Sequence, residues 1–234
     1  MSRLVFLRHA HSTANESGIL SGRLSGVSLS KQGREQAIAL IDRIGASSFD
    51  QIRISPLERC HQTIQPWLSS KFAGGVKEFV IDDGLNEVDY GRWSGRKLNS
   101  LRREPLWKQV QNRPATVTFP DGERMQSAQK RVLASIHECH AKKKNGVFLF
   151  ISHGDVIKAA VAQLIGVPLN SFQNLVINPA SLSILDFDGK SARLLCYSDT
   201  TTNISHLLGR KKVSTSLLGG GSGLIKGKRK QWHE

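Results

Sequence analysis

The sequence predicts an α/β fold: a mostly parallel open sheet with helices on both faces, a three-layer sandwich, carrying an inserted basic lid segment. Three observations lead there. Leu4-Val5-Phe6-Leu7 and Val147-Phe148-Leu149-Phe150-Ile151 are continuous apolar runs, the pattern of strands covered on both faces. Segments with helical apolar spacing lie between the strands, and alternating strands and helices build sheets flanked by helices. Residues 82–122 break the alternation with Pro105, Pro114 and Pro120, with Trp93 and Trp107, and with a run of basic side chains.

In chain order, the first strand is the run Leu4 to Leu7. Ser30 is placed to cap a helix whose Ala37, Leu40, Ile41 and Ile44 share one face. Gln51-Ile52-Arg53-Ile54 alternates as a short strand. Ser55-Pro56-Leu57-Glu58 then reads as a helix start: Ser at the cap, Pro first in the helix, Glu three residues after the cap. That helix extends to about Ser70, kinked or shortened by Pro66. Met125, Ala128, Val132 and Ile136 write a second long helix leading into the strand at Val147. A helix from Asp155 to Ile165 follows, then short strands at Leu182 to Leu185 and Leu194 to Tyr197. No internal repeat is evident.

With 39% hydrophobic and 22% charged residues, the 234-residue chain is globular in composition and long enough for one good-sized core. Residues 1–208 are expected to form a single domain, with 82–122 as its insertion or lid. Residues 209–234 are expected to be a flexible basic tail, since Gly219-Gly220-Gly221-Ser222-Gly223 is linker-like. No apolar run spans a bilayer, and the first strand is too short for a signal-peptide core. Cys60, Cys139 and Cys196 lie far apart in no metal or redox spacing, as expected of reduced thiols in a cytoplasmic protein.

The formal charge of +14 is unevenly placed. Residues 92–113 hold seven basic side chains against Glu104, and residues 209–234 hold seven against Glu234. Each segment therefore nets +6, and the rest of the chain is nearly neutral. The tail motif Lys226-Gly227-Lys228-Arg229-Lys230 is a small footprint for nucleic acid, with only Trp232 available to stack on a base. A solvated tail is the plainer reading.

Polar residues recur where strands end. Arg8-His9 follows the first strand, Arg59 follows the start of the second helix, and Ser152-His153-Gly154 follows the strand at Val147. In open α/β sheets ligands bind beyond the carboxyl ends of the strands, where helix N-termini aim amide groups at them. Two histidines and two arginines there describe an anion site, and the planar guanidinium suits phosphate. A single histidine is more often structural than catalytic. His11, His61, His137, His140, His206 and His233 are read that way; His9 and His153 are distinguished by the buried-type strands before them.

These motifs resemble those of the histidine phosphatase superfamily, which includes the cofactor-dependent phosphoglycerate mutases. Arg8-His9-Ala10-His11-Ser12-Thr13-Ala14-Asn15 is similar to the family's opening Arg-His-Gly motif with its later Asn. Ser28 to Ala37, Ser55 to Thr63, Leu85-Asn86-Glu87 with Tyr90 to Gly95, and Ser152-His153-Gly154 resemble the following blocks in order. The resemblance covers roughly residues 3 to 165. It implies His9 as the phosphoryl-accepting nucleophile, with Arg8, Asn15, Arg59, His153 and Gly154 around the phosphoryl group. Glu87 is implied as the acid and base, and neither metal nor cofactor is required.

Two departures from the family shape the expectations. Ala10 stands where the family has Gly, which strains the backbone if that position needs a positive φ or close approach. The stretch Gly22-Arg23-Leu24-Ser25 departs from the mutase pattern of Trp and Asp. Hydrolysis of a small phosphorylated substrate, multiply anionic if Arg92, Arg102 and Arg103 reach it, is the expected activity. Mutase-type transfer is the first alternative. The second is a weakened phosphate binder that contacts nucleic acid or an acidic partner through its tail. A homodimer is left open.

Overall fold

A computed structural model describes residues 1–208; the basic tail lies outside the described residues. The chain runs β1 (Ser2–Arg8), α1 (Thr13–Glu16), α2 (Lys31–Ile44), β2 (Gln51–Ile54), α3 (Glu58–Leu68) and β3 (Phe79–Ile81). Then follow α4 (Leu98–Leu101), α5 (Pro105–Asn112), α6 (Met125–Lys142), β4 (Val147–Ser152), α7 (Gly154–Leu164), β5 (Leu182–Phe187), β6 (Ala192–Asp199) and α8 (Ser205–Leu208). Six strands form one sheet in the order β3-β2-β4-β1-β5-β6. The first four in that order are mutually parallel, and β5 and β6 close one side as an antiparallel pair. The expected mostly parallel α/β sandwich is what forms.

Alternation along the central strands explains the three layers, because successive side chains point to opposite faces. Leu4, Phe6, Phe148 and Phe150 pack on one face with Ala128, Val132 and Ile136 of α6 and Val156 and Ala160 of α7. Val5, Leu7, Leu149 and Ile151 pack on the other with Leu40 and Ile44 of α2 and Cys60, Ile64 and Trp67 of α3. Phe6 and Phe150 stack across the β1–β4 pairing with centroids 5.3 Å apart. Among the described residues no helix is long and apolar enough to cross a membrane.

The start of α3 differs from the sequence expectation. The helix begins at Glu58 with Leu57 at the cap and no side chain capping it. Ser55 instead directly follows β2, where its amide bonds the Ile151 carbonyl at 3.0 Å and its hydroxyl meets His153 Nε2 at 2.8 Å. A tertiary partner has displaced the local one. Pro66 sits within α3 without ending it, two residues before the last helical position.

Residues 82–122 share the main core. Leu85, Val88, Tyr90, Trp93, Leu101, Val117 and Phe119 are buried with the α6–α7 face of the sheet. Trp93 stacks on Trp107 at 6.2 Å and meets Phe119 edge-on at 5.6 Å. The basic residues of this stretch point outward, and Arg92, Arg102 and Arg103 are exposed.

A small third cluster joins Ala10, Leu29, Ala37 and Ala180. Ala10 is fully buried and does not adopt a positive φ, so its methyl packs without backbone strain. Its amide donates to Thr63 Oγ1 at 2.8 Å.

Two substitutions check this packing by urea unfolding. Phe150→Ala removes a stacked ring from the centre of the sheet and is expected to cost about 3–5 kcal/mol. Ala10→Gly is expected to cost about 1–2 kcal/mol, from a lost buried methyl and a freer unfolded chain. A stabilising effect of Ala10→Gly would show that the backbone there does call for glycine.

Candidate active site

Parallel register brings the polar strand ends together. Arg8 stands beside Ser152, and Ile54 beside Ile151. His9 then follows β1 with its amide on the Ser152 carbonyl at 2.9 Å. His9 and His153, 144 positions apart in sequence, have ring centroids 5.2 Å apart. An open cleft of about 350 Å³ lies here, lined by Arg8, His9, Asn15, Glu87 and Gly154 of the predicted set, with Tyr90, Asp155 and Lys158 beside them.

His9 is 4% exposed, and its Nδ1 lies 2.8 Å from the carbonyl of Ala10. Only a protonated Nδ1 can bond a carbonyl, so the lone pair resides on Nε2. Burial, then the charges of Arg59 and Arg8, push the imidazole pKa well below its ordinary value. His9 is therefore a neutral, buried imidazole at physiological pH.

His153 is fully buried and sits behind the cleft lining with Arg59, which is 1% exposed. Arg59 donates from Nη2 to His153 Nδ1 at 3.1 Å and to the Gly22 carbonyl at 2.9 Å. Guanidinium has no acceptor, so His153 Nδ1 accepts and its proton lies on Nε2, which donates to Ser55. Burial, then Arg59 and His9, hold the His153 pKa well below normal. His153 is thus uncharged where it approaches Glu87 at 3.7 Å, and the contact is not an ion pair.

The Nε–H groups of Arg8 and Arg59 are buried with no partner among protein atoms. An unsatisfied buried donor on a charged group costs about 1–3 kcal/mol or more. Two of them together, beside His9, describe a site that an oxyanion completes. Gly154 fits closely here: a Cβ at that position would stand 3.3 Å from Arg8 Nε. It is also the first residue of α7, whose opening amides suit an anion. Asn15 lines the cleft too. Its Oδ1 accepts from the Ser12 amide at 3.0 Å and the Ser12 hydroxyl at 2.9 Å, so its amide N–H groups are what it can offer a ligand.

Glu87 is 8% exposed. Burial, with Asp155 adding to it, raises its pKa to about 7 against the opposing pull of Arg59. Oε1 accepts the Val88 amide at 2.9 Å, which leaves Oε2 to carry the proton. The loop is gripped from behind. Arg23 and Arg131 both donate to the Glu87 carbonyl, at 2.8 and 3.1 Å, and both meet Glu123 Oε1, at 3.0 and 2.8 Å. Ser152 Oγ donates to the Leu85 carbonyl at 2.7 Å, fastening the same loop to the end of β4.

Of the residues read from sequence, Arg8, His9, Asn15, Arg59, Glu87, His153 and Gly154 converge. The basic segment does not join them. Arg92 pairs with Asp121 at 2.9 Å, and Arg103 lies in a separate surface hollow with Arg96 and Lys97. None of Arg92, Arg102 and Arg103 lines the cleft. Tyr90 and Asp155 were given no site role from sequence: the Tyr90 hydroxyl donates to Asp155 Oδ2 at 2.8 Å, and Asp155 Oδ1 pairs with Lys158 at 3.1 Å. The available hints were the place of Tyr90 at the head of a resembling block and that of Asp155 in the first turn after Ser152-His153-Gly154. No group of three histidine, cysteine or acidic side chains among the described residues is placed to hold a metal ion.

Comparison with known proteins gives a consistent result. A family model described as the histidine phosphatase superfamily (branch 1) matches residues 4–200. Phosphoserine phosphatase 1 of Hydrogenobacter thermophilus is 29% identical over 191 residues, 80% of this chain and 88% of the relative. A 2,3-bisphosphoglycerate-dependent phosphoglycerate mutase of Thermoplasma acidophilum is 25% identical over 188 residues, 80% and 88% of the two chains. The crystal structure of the alpha-ribazole phosphatase from Shigella flexneri superposes with a TM-score of 0.73 at 28% identity, covering 86% of this chain and 98% of that one. Matched across its whole sheet, with two histidines meeting where parallel strands end, the chain belongs to branch 1 of the histidine phosphatase superfamily.

Proposed function

We propose that the protein hydrolyses phosphomonoesters through a phosphohistidine on His9. The observation that carries this reading is the pairing of a neutral buried imidazole with a carboxyl whose pKa is raised to about 7, on one cleft beside two unsatisfied guanidinium donors.

His9 Nε2 attacks phosphorus, and the N–P bond forms as the ester P–O bond breaks. Glu87 Oε2 gives its proton to the leaving oxygen, so the alcohol departs neutral. The Glu87 carboxylate then takes a proton from water. The water oxygen attacks phosphorus, the N–P bond breaks, and orthophosphate leaves with His9 restored. Arg8, Arg59 and the first amides of α7 hold the charge on the phosphoryl oxygens, with Asn15 assisting. His153 positions Arg59 through Nδ1 and is itself fixed by Ser55. Positive charge comes from the arginines, and no metal enters these steps.

Hydrolysis is preferred to mutase chemistry because of the cleft's cations. A mutase must anchor its substrate by a second anionic group. Lys158 is the lysine of the lining, and it is bound by Asp155 at 3.1 Å and by Gln173 at 2.7 Å.

The test is a panel of phosphomonoesters assayed for released phosphate without added metal. His9→Ala is expected to fall below about a thousandth of the parent rate. Acid-labile radioactive phosphate should be trapped on the parent in rapid-quench experiments and be missing from His9→Ala. Turnover unchanged in that variant would overturn the proposal.

The pH profile is a second check. Glu87 must be protonated to act as acid, so kcat/KM is expected to hold below about pH 7 and fall above it. His9 must be neutral, and its lowered pKa places any acid limb from this residue below about 6.5. Glu87→Gln is expected to lose about 10²–10⁴-fold in kcat and to abolish the alkaline limb. An alkaline limb that survives in Glu87→Gln assigns the acid to another group.

A further inference from the structure

Beyond the phosphoryl-binding end, the cleft changes character. Two groups of apolar side chains line it: Ile19 and Leu20 with Leu98 from a neighbouring segment, and the consecutive Leu175, Val176 and Ile177. Backbone bonds hold the first together, with Leu20 N on the Arg96 carbonyl at 3.0 Å and Leu98 N on the Gly18 carbonyl at 2.9 Å. The second is attached to the phosphate end itself, because Arg8 Nη1 donates to the Ile177 carbonyl. Val176 is 67% exposed beside a buried Ile177, leaving an apolar side chain in solvent at the rim of a charged site. Exposed apolar surface continuous with a polar anchoring point is what a ligand's uncharged part covers.

Charge in this part of the cleft is already balanced. Burial works against ionisation of Asp155, yet Lys158 and the Tyr90 hydroxyl together hold its pKa below the ordinary range. Lys158 spends its charge on Asp155 and lies 4.5 Å from the centre of the Phe172 ring. A carboxylate on the leaving group would meet an ionised Asp155 and would have to take Lys158 from it. Arg102 and Arg103 lie off the lining and offer no replacement.

The geometry points to a phosphomonoester whose leaving group is an uncharged, largely apolar alcohol, seated between Ile19, Leu20 and Leu98 and Leu175, Val176 and Ile177, rather than a carboxylate-bearing one. This rests on the phosphatase reading and adds the substrate class to it. It departs from the chemistry that the name of the phosphoserine phosphatase relative carries.

The experiment compares ethyl, butyl and hexyl phosphate with phosphoserine and 3-phosphoglycerate, using the full chain. The alkyl series holds the leaving-group pKa nearly constant and varies only apolar area. Each methylene fully buried is worth about fourfold, so kcat/KM is expected to rise at least about tenfold from ethyl to hexyl phosphate. Hexyl phosphate should also exceed both carboxylate-bearing esters. In Val176→Lys and Leu98→Lys the ratio of hexyl phosphate to phosphoserine is expected to fall by about tenfold. A flat alkyl series, or phosphoserine preferred by the parent, overturns the inference and leaves the phosphatase reading standing. Titration calorimetry with ethyl- and hexylphosphonate, which cannot be hydrolysed, separates the two further. Tighter binding of hexylphosphonate without turnover of any ester keeps the apolar subsite and overturns the hydrolase; equal binding overturns the subsite.

Discussion

The parallel pairing of β1 with β4 is the constraint on which the chemistry depends. It sets Arg8 beside Ser152, and from that register the next residue of each strand, His9 and His153, must emerge at the same end of the sheet. Neither side chain has conformational choice left once its neighbours pack. The strands beneath them are held on both faces, by α6 and α7 on one side and α2 and α3 on the other. The cost of such a location is desolvation, and it explains the protonation of the whole site.

Burial acts on each ionisable group in the direction of neutrality, and here those directions are the useful ones. Burial holds His9 and His153 as neutral imidazoles and raises the Glu87 pKa to about 7. Arginine cannot follow this rule, because its guanidinium stays charged in proteins. Arg8 and Arg59 are therefore left as buried positive charge with Nε–H groups unsatisfied by protein atoms. Buried positive charge without protein partners is complemented by an oxyanion. Stability is given up locally so that charge stabilisation is already in place when the ligand arrives.

The placing of Glu87, the proposed acid, comes from a different part of the chain. Glu87 lies in an irregular stretch, and irregular backbone positions side chains well only when it is tied down. Arg23 and Arg131 converge on its carbonyl and share Glu123, while Tyr90, Trp93 and Phe119 anchor the following turns in the core. The basic residues of 92–113 ride on the outside of that packing. Their charge is a property of the outer surface, and the aromatic side chains of the same stretch do the structural part.

The sequence by itself determined the sheet, its flanking helices and the residues that converge at the candidate site. Apolar runs at Leu4 and Val147 declare strands covered on both faces, and Arg8-His9, Arg59, Glu87 and Ser152-His153-Gly154 follow in the family's order. It also suggested two local assignments that tertiary structure reversed. Ser55 reads as a helix cap, but His153 from a neighbouring strand supplies a partner that local spacing cannot reveal. Arg102 and Arg103 read as substrate contacts, yet the aromatic side of their segment is what packs inward. Only the folded chain could decide which side chains line the cleft, which nitrogen of each histidine holds its proton, and that Asp155 binds Tyr90 and Lys158. Those outcomes depend on strand order and on contacts between residues far apart in sequence, and no local pattern encodes them.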